Sequence, residues 1–256
     1  RYVADRYFKE YAYSKSAELY QKLYDNGDRS YRVLSRLADS YYHTSAYKEA
    51  EEPYRQLIDK YSEMVSSEHF FRYAQVLKSN GNRSESDKWL LKLKELKDND
   101  SRVLSLEANK HYFSEYTNRP KTYVNVHNLA INTEYSDFGG FVYNGDLYFS
   151  STRADSENKK LYKWNNQPYL NIYKSEEKQL QGTGSLDVSA PEKLVSLSSK
   201  YHESNAIISK DGNTLYFTRD NVLGDRKSIV KLKIYKAKKQ YDGTWGGIEE
   251  LPFNNN

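Results

Sequence analysis

Up to about Arg119 the apolar residues of this chain fall at helical spacing, and beyond Pro120 they alternate with polar residues at strand spacing. In the first stretch, Tyr13-x-x-Ser16-x-x-x-Tyr20 returns as Tyr47-x-x-Ala50-x-x-x-Tyr54. Tyr7/Tyr41, Ala12/Ala46, Glu18/Glu52 and Leu23/Leu57 repeat at the same offset. A third, looser copy maps Ala38, Tyr41, Ser45, Ala50 and Tyr54 onto Ala74, Leu77, Gly81, Ser86 and Leu90. A small residue lets two helices approach, and a bulky one four positions on lies on the same face and fills the groove. Pro53 is expected in the first turn of its helix, which places that helix start near Glu49. Ser101 to Tyr116, with Val103, Leu104, Leu106, Ala108 and Phe113, reads as a helix capping the last apolar face.

Pro120 disfavours helix at the residue before it and marks the change of texture. Two copies of one strand unit follow. The first runs through Tyr135–Tyr143, Asn144–Ser150 and Leu170–Ser175, and the second through Tyr201–Ser209, Asp211–Thr218 and Leu232–Ala237. Asn144-Gly145 and Asp211-Gly212 stand where tight hairpin turns are needed. Trp245–Phe253 supplies a fourth strand to the second copy, and Pro191–Val195 does so for the first. Several short strands with a turn at a fixed place describe a propeller blade, lengthened here by insertions near Arg153–Gln167 and Gln179–Ser189.

The copies in the first half are displaced by 34 residues, and their pattern resembles the tetratricopeptide repeat over about Arg1 to Asn99. Ser16 and Ser86 stand where that family prefers Ala. The string Ser209–Thr218, followed by Leu232–Ala237, resembles the WD40-like repeat of Tol-B-type propellers. Leu129–Gly139 ahead of the first blade is a more specific mark. Helical repeats, then this run, then such blades, resemble the OmpA-family envelope proteins of Bacteroidota, which include PorE-type components of type IX secretion and gliding motility. The resemblance implies further blades, a carboxypeptidase-regulatory-like domain and an OmpA-like peptidoglycan-binding domain beyond this sequence. The expected fold is therefore α + β and multidomain. An α-solenoid with a capping helix occupies 1–118, and the first two blades of a β-propeller occupy 119–256. The chain opens at Arg1 inside a helical pattern and stops near where a third blade should open, so the natural polypeptide is expected to continue.

Composition sharpens this picture in three places. The sequence has 256 residues, 26 Tyr and 9 Phe, so aromatics fill cores that its mean hydropathy of −0.95 would otherwise leave thin. It has 0 Cys, which excludes disulfides, Cys-ligated zinc and thiol catalysis. The net charge of +4 is shared between the two halves without blocks of like charge, unlike the concentrated charge of a nucleic-acid binder. No apolar run approaches the roughly 20 residues that span a bilayer.

The candidate chemistry is sparse. The five His show neither His-Glu-x-x-His nor i, i+4 pairing, so no metal is expected. Gly182-Thr-Gly184 lacks the setting of a dinucleotide loop, and no cofactor is expected. His202 and Glu203 are adjacent and, on a strand, point to opposite faces. An acid at each blade entrance, Asp137 and Glu203, suggests a hydrogen bond that tethers neighbouring blades. Gly145, Asp211 and Gly212 are read as turn residues. Lys231–Lys239 alternates, with Leu232 and Ile234 on one face and Lys231 and Lys233 on the other, as in a half-exposed strand. Trp164 and Trp245 are candidate ligand-facing aromatics.

No nucleophile–base constellation is present, and the expectation is a non-enzymatic scaffold. The family resemblance implies a periplasmic, outer-membrane-associated protein. It would bind an outer-membrane barrel of PorP/SprF type or another envelope subunit, and grip peptidoglycan through a C-terminal domain outside this sequence. The rival expectation is a carbohydrate-binding or hydrolase-associated propeller module.

Overall fold

The computed structural model describes residues 1–97, 99–109, 115, 118–120, 128–154, 160–179, 186–220 and 231–254. The chain divides into two compact units. One holds Arg1–Val124 with Lys163–Asn166, and the other holds Asn125–Tyr162 with Gln167–Asn256. The expected division at residue 118 falls a few residues earlier than this one.

The first unit is built of helical hairpins: α1 (Tyr2–Lys9) with α2 (Tyr13–Asp25), α3 (Tyr31–His43) with α4 (Tyr47–Tyr61), and α5 (Ser67–Ser79) with α6 (Arg83–Leu96), followed by α7 (Ser101–Ala108). Each hairpin turns in the same way. Tyr11, Ser45 and Gly81 take positive φ of 58°, 61° and 90°. The next residue's amide then reaches back five positions: Ala12 to Tyr7 at 2.9 Å, Ala46 to Tyr41 at 2.9 Å and Asn82 to Leu77 at 2.8 Å. This is the Schellman closure, in which a left-handed residue lets the backbone satisfy the helix's last carbonyls. Only the third copy uses glycine for it.

The small residues sit where close approach requires them. Ser16, Ala50 and Ser86 are all fully buried, and Ser40 donates to Ser16 at 3.0 Å inside the packed layer. Leu34, Ala38, Tyr54, Leu57, Phe70, Tyr73 and Leu77 share one core, with Trp89 stacked on Phe70 at its edge. Ala4, Tyr20, Val33 and Leu37 form a second. Each buried Leu, Val or Phe among them contributes about 1.5–3 kcal/mol. Two expectations need correction. Helix α4 starts at Tyr47, not Glu49, so Pro53 lies within it. Its ring removes the bond to Glu49's carbonyl, and burial against the core compensates. In α7, Val103 is buried whereas Leu104 is exposed, and Phe113 lies outside the described residues.

The second unit holds two antiparallel meanders. In the first, β1 (Asp137–Tyr143), β2 (Asp146–Ser151) and β3 (Asn171–Gln179) pair in sequence. Two short strands, β4 (Leu186–Val188) and β5 (Glu192–Lys193), share the far edge of β3. The second sheet orders β6 (Glu203–Ile208), β7 (Thr214–Asp220), β8 (Leu232–Lys239) and β9 (Trp245–Glu250). Both fourth strands therefore stand where the pattern put them. Among the described residues the two sheets do not close a ring.

The copies match in irregularities as well as in strands. Each first strand carries a bulge between Phe138 and Phe141 or between Ser204 and Ile207. Gly139 and Asn205 adopt positive φ there. Asn205 Oδ1 lies 2.7 Å from where a Cβ on Gly139 would stand, so a larger residue there would have to displace the Asn205 amide as well as adopt a positive φ. Asn144 and Gly145 both take positive φ, as a two-residue hairpin of the I′ type needs. The second turn is longer. Ser209 and Thr214 close it, Asp211 accepts from the Ser209 hydroxyl at 2.6 Å and the Asn213 amide at 3.1 Å, and of the Asp-Gly pair only Gly212 has positive φ.

Candidate interaction surfaces

In the helical unit, α1 and α3 present side chains to a shared cleft of about 290 Å³. Arg6 and Lys9 enter it from α1, and Arg32 and Arg36 from α3. Arg36 lies 4.2 Å over the Phe8 ring, an arrangement that holds the guanidinium plane in place. Asp5 is the one carboxylate lining the cleft, and it already accepts the Tyr20 hydroxyl. Arg32 touches it at 3.4 Å.

One helical repeat later, the same Tyr–Asp pair anchors a buried polar cluster. Asp39 accepts from Tyr54 at 2.7 Å and from Arg72 at 2.8 Å. His69 stands 3.9 Å away and accepts the Ser66 amide on its Nδ1, which leaves its other nitrogen to carry the proton toward Asp39. Burial pushes the Tyr54 hydroxyl up and pulls His69 down. Asp39 is absent from the sequence-predicted residues, although its spacing from Asp5 equals that of Tyr54 from Tyr20. In the third copy both partners change together, to Gln75 and Leu90.

In the sheet unit, Asp137 and Glu203 occupy the same place in each copy. Each acid forms an ion pair within its own copy. Glu203 stands opposite Arg219 in the strand register, whereas Asp137 stands opposite Ser151 and meets Arg153 just past the end of β2. Glu203 also donates its backbone amide to the Leu170 carbonyl of the first copy at 3.0 Å. Arg153 meets Asp137 at 3.0 Å, and Arg219 meets Glu203 at 3.1 Å. Each arginine also donates to a carbonyl six residues before the acid, Ile131 or Leu197. Each lies over a conserved-in-copy ring pair, Phe149/Tyr173 at 5.0 Å, and Phe217/Tyr235 at 5.0 and 5.6 Å. Glu203 is 0% exposed, and burial raises its carboxyl against the lowering pull of Ser199 and Arg219. Asp137 is opposed by burial too, but hydrogen bonds from Ser151, Thr133 and Arg153 outweigh it and lower its carboxyl. His202, pointing away from Glu203, packs between Tyr162 and Tyr169, and its Nδ1 accepts the Leu170 amide at 3.1 Å.

The two sheets pack through one core of Tyr148, Ile172, Ala206, Ile208, Leu215 and Phe217 among others. Sheet one thus buries Tyr148 and Ile172 at 6% and 1% exposure. The register makes Tyr216 and Ile234 their counterparts in sheet two, since Tyr148 faces Lys174 as Tyr216 faces Lys236. Those counterparts are 39% and 38% exposed, beside exposed Ile207 and Leu232. The alternation in β8 holds, but its inner face carries Lys233, Tyr235 and Ala237, with Lys233 paired to Glu250 at 2.7 Å, and the Leu232/Ile234 face is the open one.

Both candidate ligand-facing tryptophans are engaged by protein. Trp245 is 6% exposed within the sheet core. Trp164 belongs to the helical unit, where its indole donates to the His43 carbonyl at 2.7 Å and stands edge-on to Tyr13. A second cleft, about 520 Å³, is lined by Asp146, Lys174, Lys239 and Asp242, with Trp245 at its wall. Lys174 and Asp146 pair there at 3.0 Å. Among the described residues no group of three His, Asp or Glu could hold a metal ion, and no helix is long and apolar enough to cross a membrane.

No family model and no curated protein matches this sequence. Solved structures similar to it include MamA (MSR-1 C2), at 18% identity and a TM-score of 0.40. Another is the C-terminal part of a TPR repeat-containing protein from Cytophaga hutchinsonii, at 21% identity and a TM-score of 0.38. The matches cover 44% and 46% of this chain, and 64% and 45% of those chains, less than two thirds of either. Both neighbours are TPR-repeat proteins. The TPR-like character of the helical unit here rests on its own contacts: three matching turns, three buried small residues and two Tyr–Asp pairs.

Proposed function

We propose that this protein is a non-enzymatic scaffold whose two repeat units bind protein partners. The observation that carries this reading is repetition of contacts. Turns, small-residue layers and Tyr–Asp pairs recur along the helices, and acid–arginine pairs, bulges and ring pairs recur along the sheets. Arrays of this kind display side chains from successive repeats on one continuous face, which suits extended protein segments.

The sheets are proposed as blades of a β-propeller. The support is the contrast between Tyr148/Ile172 and Tyr216/Ile234: the first pair shows what covers this face, namely the front of a following sheet. A further sheet of the same kind against Ile207, Tyr216 and Ile234 would repeat the packing. The family resemblance adds a cellular setting to the proposal. In it, the protein lies in the periplasm beside the outer membrane, binds a PorP/SprF-type barrel or another envelope subunit, and reaches peptidoglycan through a domain outside this sequence.

Two measurements test this. Native polypeptide purified from envelope membranes should bring down an outer-membrane barrel; a cytosolic pool with no envelope partner would overturn the setting. For the blades, Ile234→Asp should leave the stability of this 256-residue chain nearly unchanged and destabilise a polypeptide that carries the proposed further sheet. Equal effects in both would refute a covering sheet.

A further inference from the structure

We propose that the cleft between α1 and α3 binds an acidic segment of a protein partner, with two of its carboxylates held by Arg32 and Arg36. This deepens the scaffold reading and rests on it.

The first ground is charge. Four cations, Arg6, Lys9, Arg32 and Arg36, line the cleft with the single carboxylate of Asp5. Asp5 is already engaged by Tyr20 and, at longer range, by Arg32. Arg6, Lys9 and Arg36 form no ion pair among the described residues. Several arginines elsewhere on these helices are paired: Arg72 with Asp39, Arg102 with Asp100 and Glu68, Arg55 with Glu52 and Asp59.

The second ground is the local cost. Arg6 and Lys9 are three apart, and Arg32 and Arg36 four apart, so each helix sets like charges side by side, which is unfavourable by a few tenths of a kcal/mol per pair. Arg6 and Lys9 at least complement the C-terminal end of α1. Arg32 stands in the first turn of α3, a turn without an acidic residue, where the helix dipole opposes a cation. Sites that break local rules without internal compensation are where binding is expected.

The third ground is geometry. Arg36 is stacked on Phe8, and Phe8 is braced edge-on by buried Tyr13 at 5.3 Å, so one fork is held before a ligand arrives. Guanidinium forks match carboxylates in a bidentate way, and prior immobilisation reduces the entropy lost on binding. The cleft volume of about 290 Å³ takes side chains and a short length of backbone, not a folded domain.

The test is fluorescence anisotropy of a fluorescein-labelled peptide of alternating glutamate and glycine, titrated with the full chain at low and high salt. Binding that weakens with salt is expected. The double variant Arg32→Gln/Arg36→Gln should weaken it about tenfold or more with its helical circular dichroism retained. Arg36→Lys keeps the charge, loses the fork, and should weaken binding about threefold; it decides the matter if the double variant does not fold. Lys88→Gln, exposed on α6, should change nothing. Absence of peptide binding, or equal binding by the arginine variants, overturns the proposal. So does a single-stranded oligonucleotide of the same charge that binds more tightly with the same arginine dependence, since the site would then read phosphate. If the peptide fails to bind but an envelope protein is still captured, the cleft is wrong and the scaffold stands. If the peptide binds and no protein is captured, the scaffold reading alone fails.

Discussion

Tyr54 donates its hydroxyl to Asp39 inside the helical core at 2.7 Å, and one repeat earlier Tyr20 does the same to Asp5. The pair links the second helix of each hairpin to the first, with both ends out of reach of bulk water in the Asp39 copy. A carboxylate in such a place is tolerable only while its hydrogen bonds are made.

Tyr54→Phe removes one of those bonds while keeping the ring. Asp39 then depends on Arg72, and the helical unit should lose about 1–3 kcal/mol. Tyr20→Phe should cost less, because Asp5 is partly exposed and can recruit water. Urea unfolding followed by helical circular dichroism measures both, and an equal loss would show that burial does not set the difference.

Glu203 is the more demanding acid. Arg219→Met leaves it fully buried without a cation, and sheet two should lose about 3–5 kcal/mol. Adding Glu203→Gln should restore much of that loss. The matching Arg153→Met should cost less, because Asp137 retains hydrogen bonds from the Thr133 amide and hydroxyl at 2.7 Å. Denaturation monitored through near-ultraviolet circular dichroism ranks the three variants.

Gly145→Ala and Gly212→Ala separate conformation from space. Both glycines take positive φ, but a Cβ at Gly145 meets nothing within 4 Å, whereas at Gly212 it meets the Tyr143 hydroxyl at 2.7 Å. Gly145→Ala should cost about 1–2 kcal/mol, the conformational price alone. Gly212→Ala should cost more, and Tyr143→Phe should recover the difference. Melting temperatures of the four proteins check it.

Histidine burial predicts a pH dependence. His43 and His69 have pKa values pulled down, mainly by desolvation and further by Arg72, with Asp39 acting against. The unfolded chain therefore binds protons first. Stability is full above the ordinary histidine value of about 6.5 and is lost as pH falls through it toward the lower folded values. The helical melting temperature should drop between neutral pH and mildly acidic pH, and His69→Gln should flatten that drop.

Much of this fold is legible in the sequence, for reasons that particular residues show. Tyr13/Tyr47 and Leu147/Leu215 announce their units because helix and strand packing impose a fixed spacing on bulky residues. Asn144-Gly145 announces its turn because few other dipeptides tolerate two positive φ angles. The Asp39 cluster is harder to see, since its members lie on three helices and a carboxylate reads as surface until its tyrosine is placed over it. Arg153 and Arg219 escape for a similar reason: arginine is common at surfaces, and only the folded chain brings it to an acid, Arg219 through the strand register and Arg153 just past the end of β2. Trp164 misleads because an aromatic in an inserted loop looks available, whereas its indole is spent on His43's carbonyl. In β8, periodicity divides the faces correctly but cannot say which one is inward, because Tyr235 and Ala237 outweigh Lys233.

The arginine that closes each acid pair also reaches a carbonyl upstream of its own sheet, and for Arg219 that carbonyl is Leu197, on the segment between the sheets. The peptide chain is thus seconded by this side chain and by the core the two sheets share. A protease nick around Ser199–Tyr201 would cut the chain and leave the rest, so the nicked halves should stay associated and still migrate as one particle. The same arrangement ties sheet two to the Val195–Leu197 turn that precedes it: Arg219 completes its bonds only when that turn is in place to offer the Leu197 carbonyl.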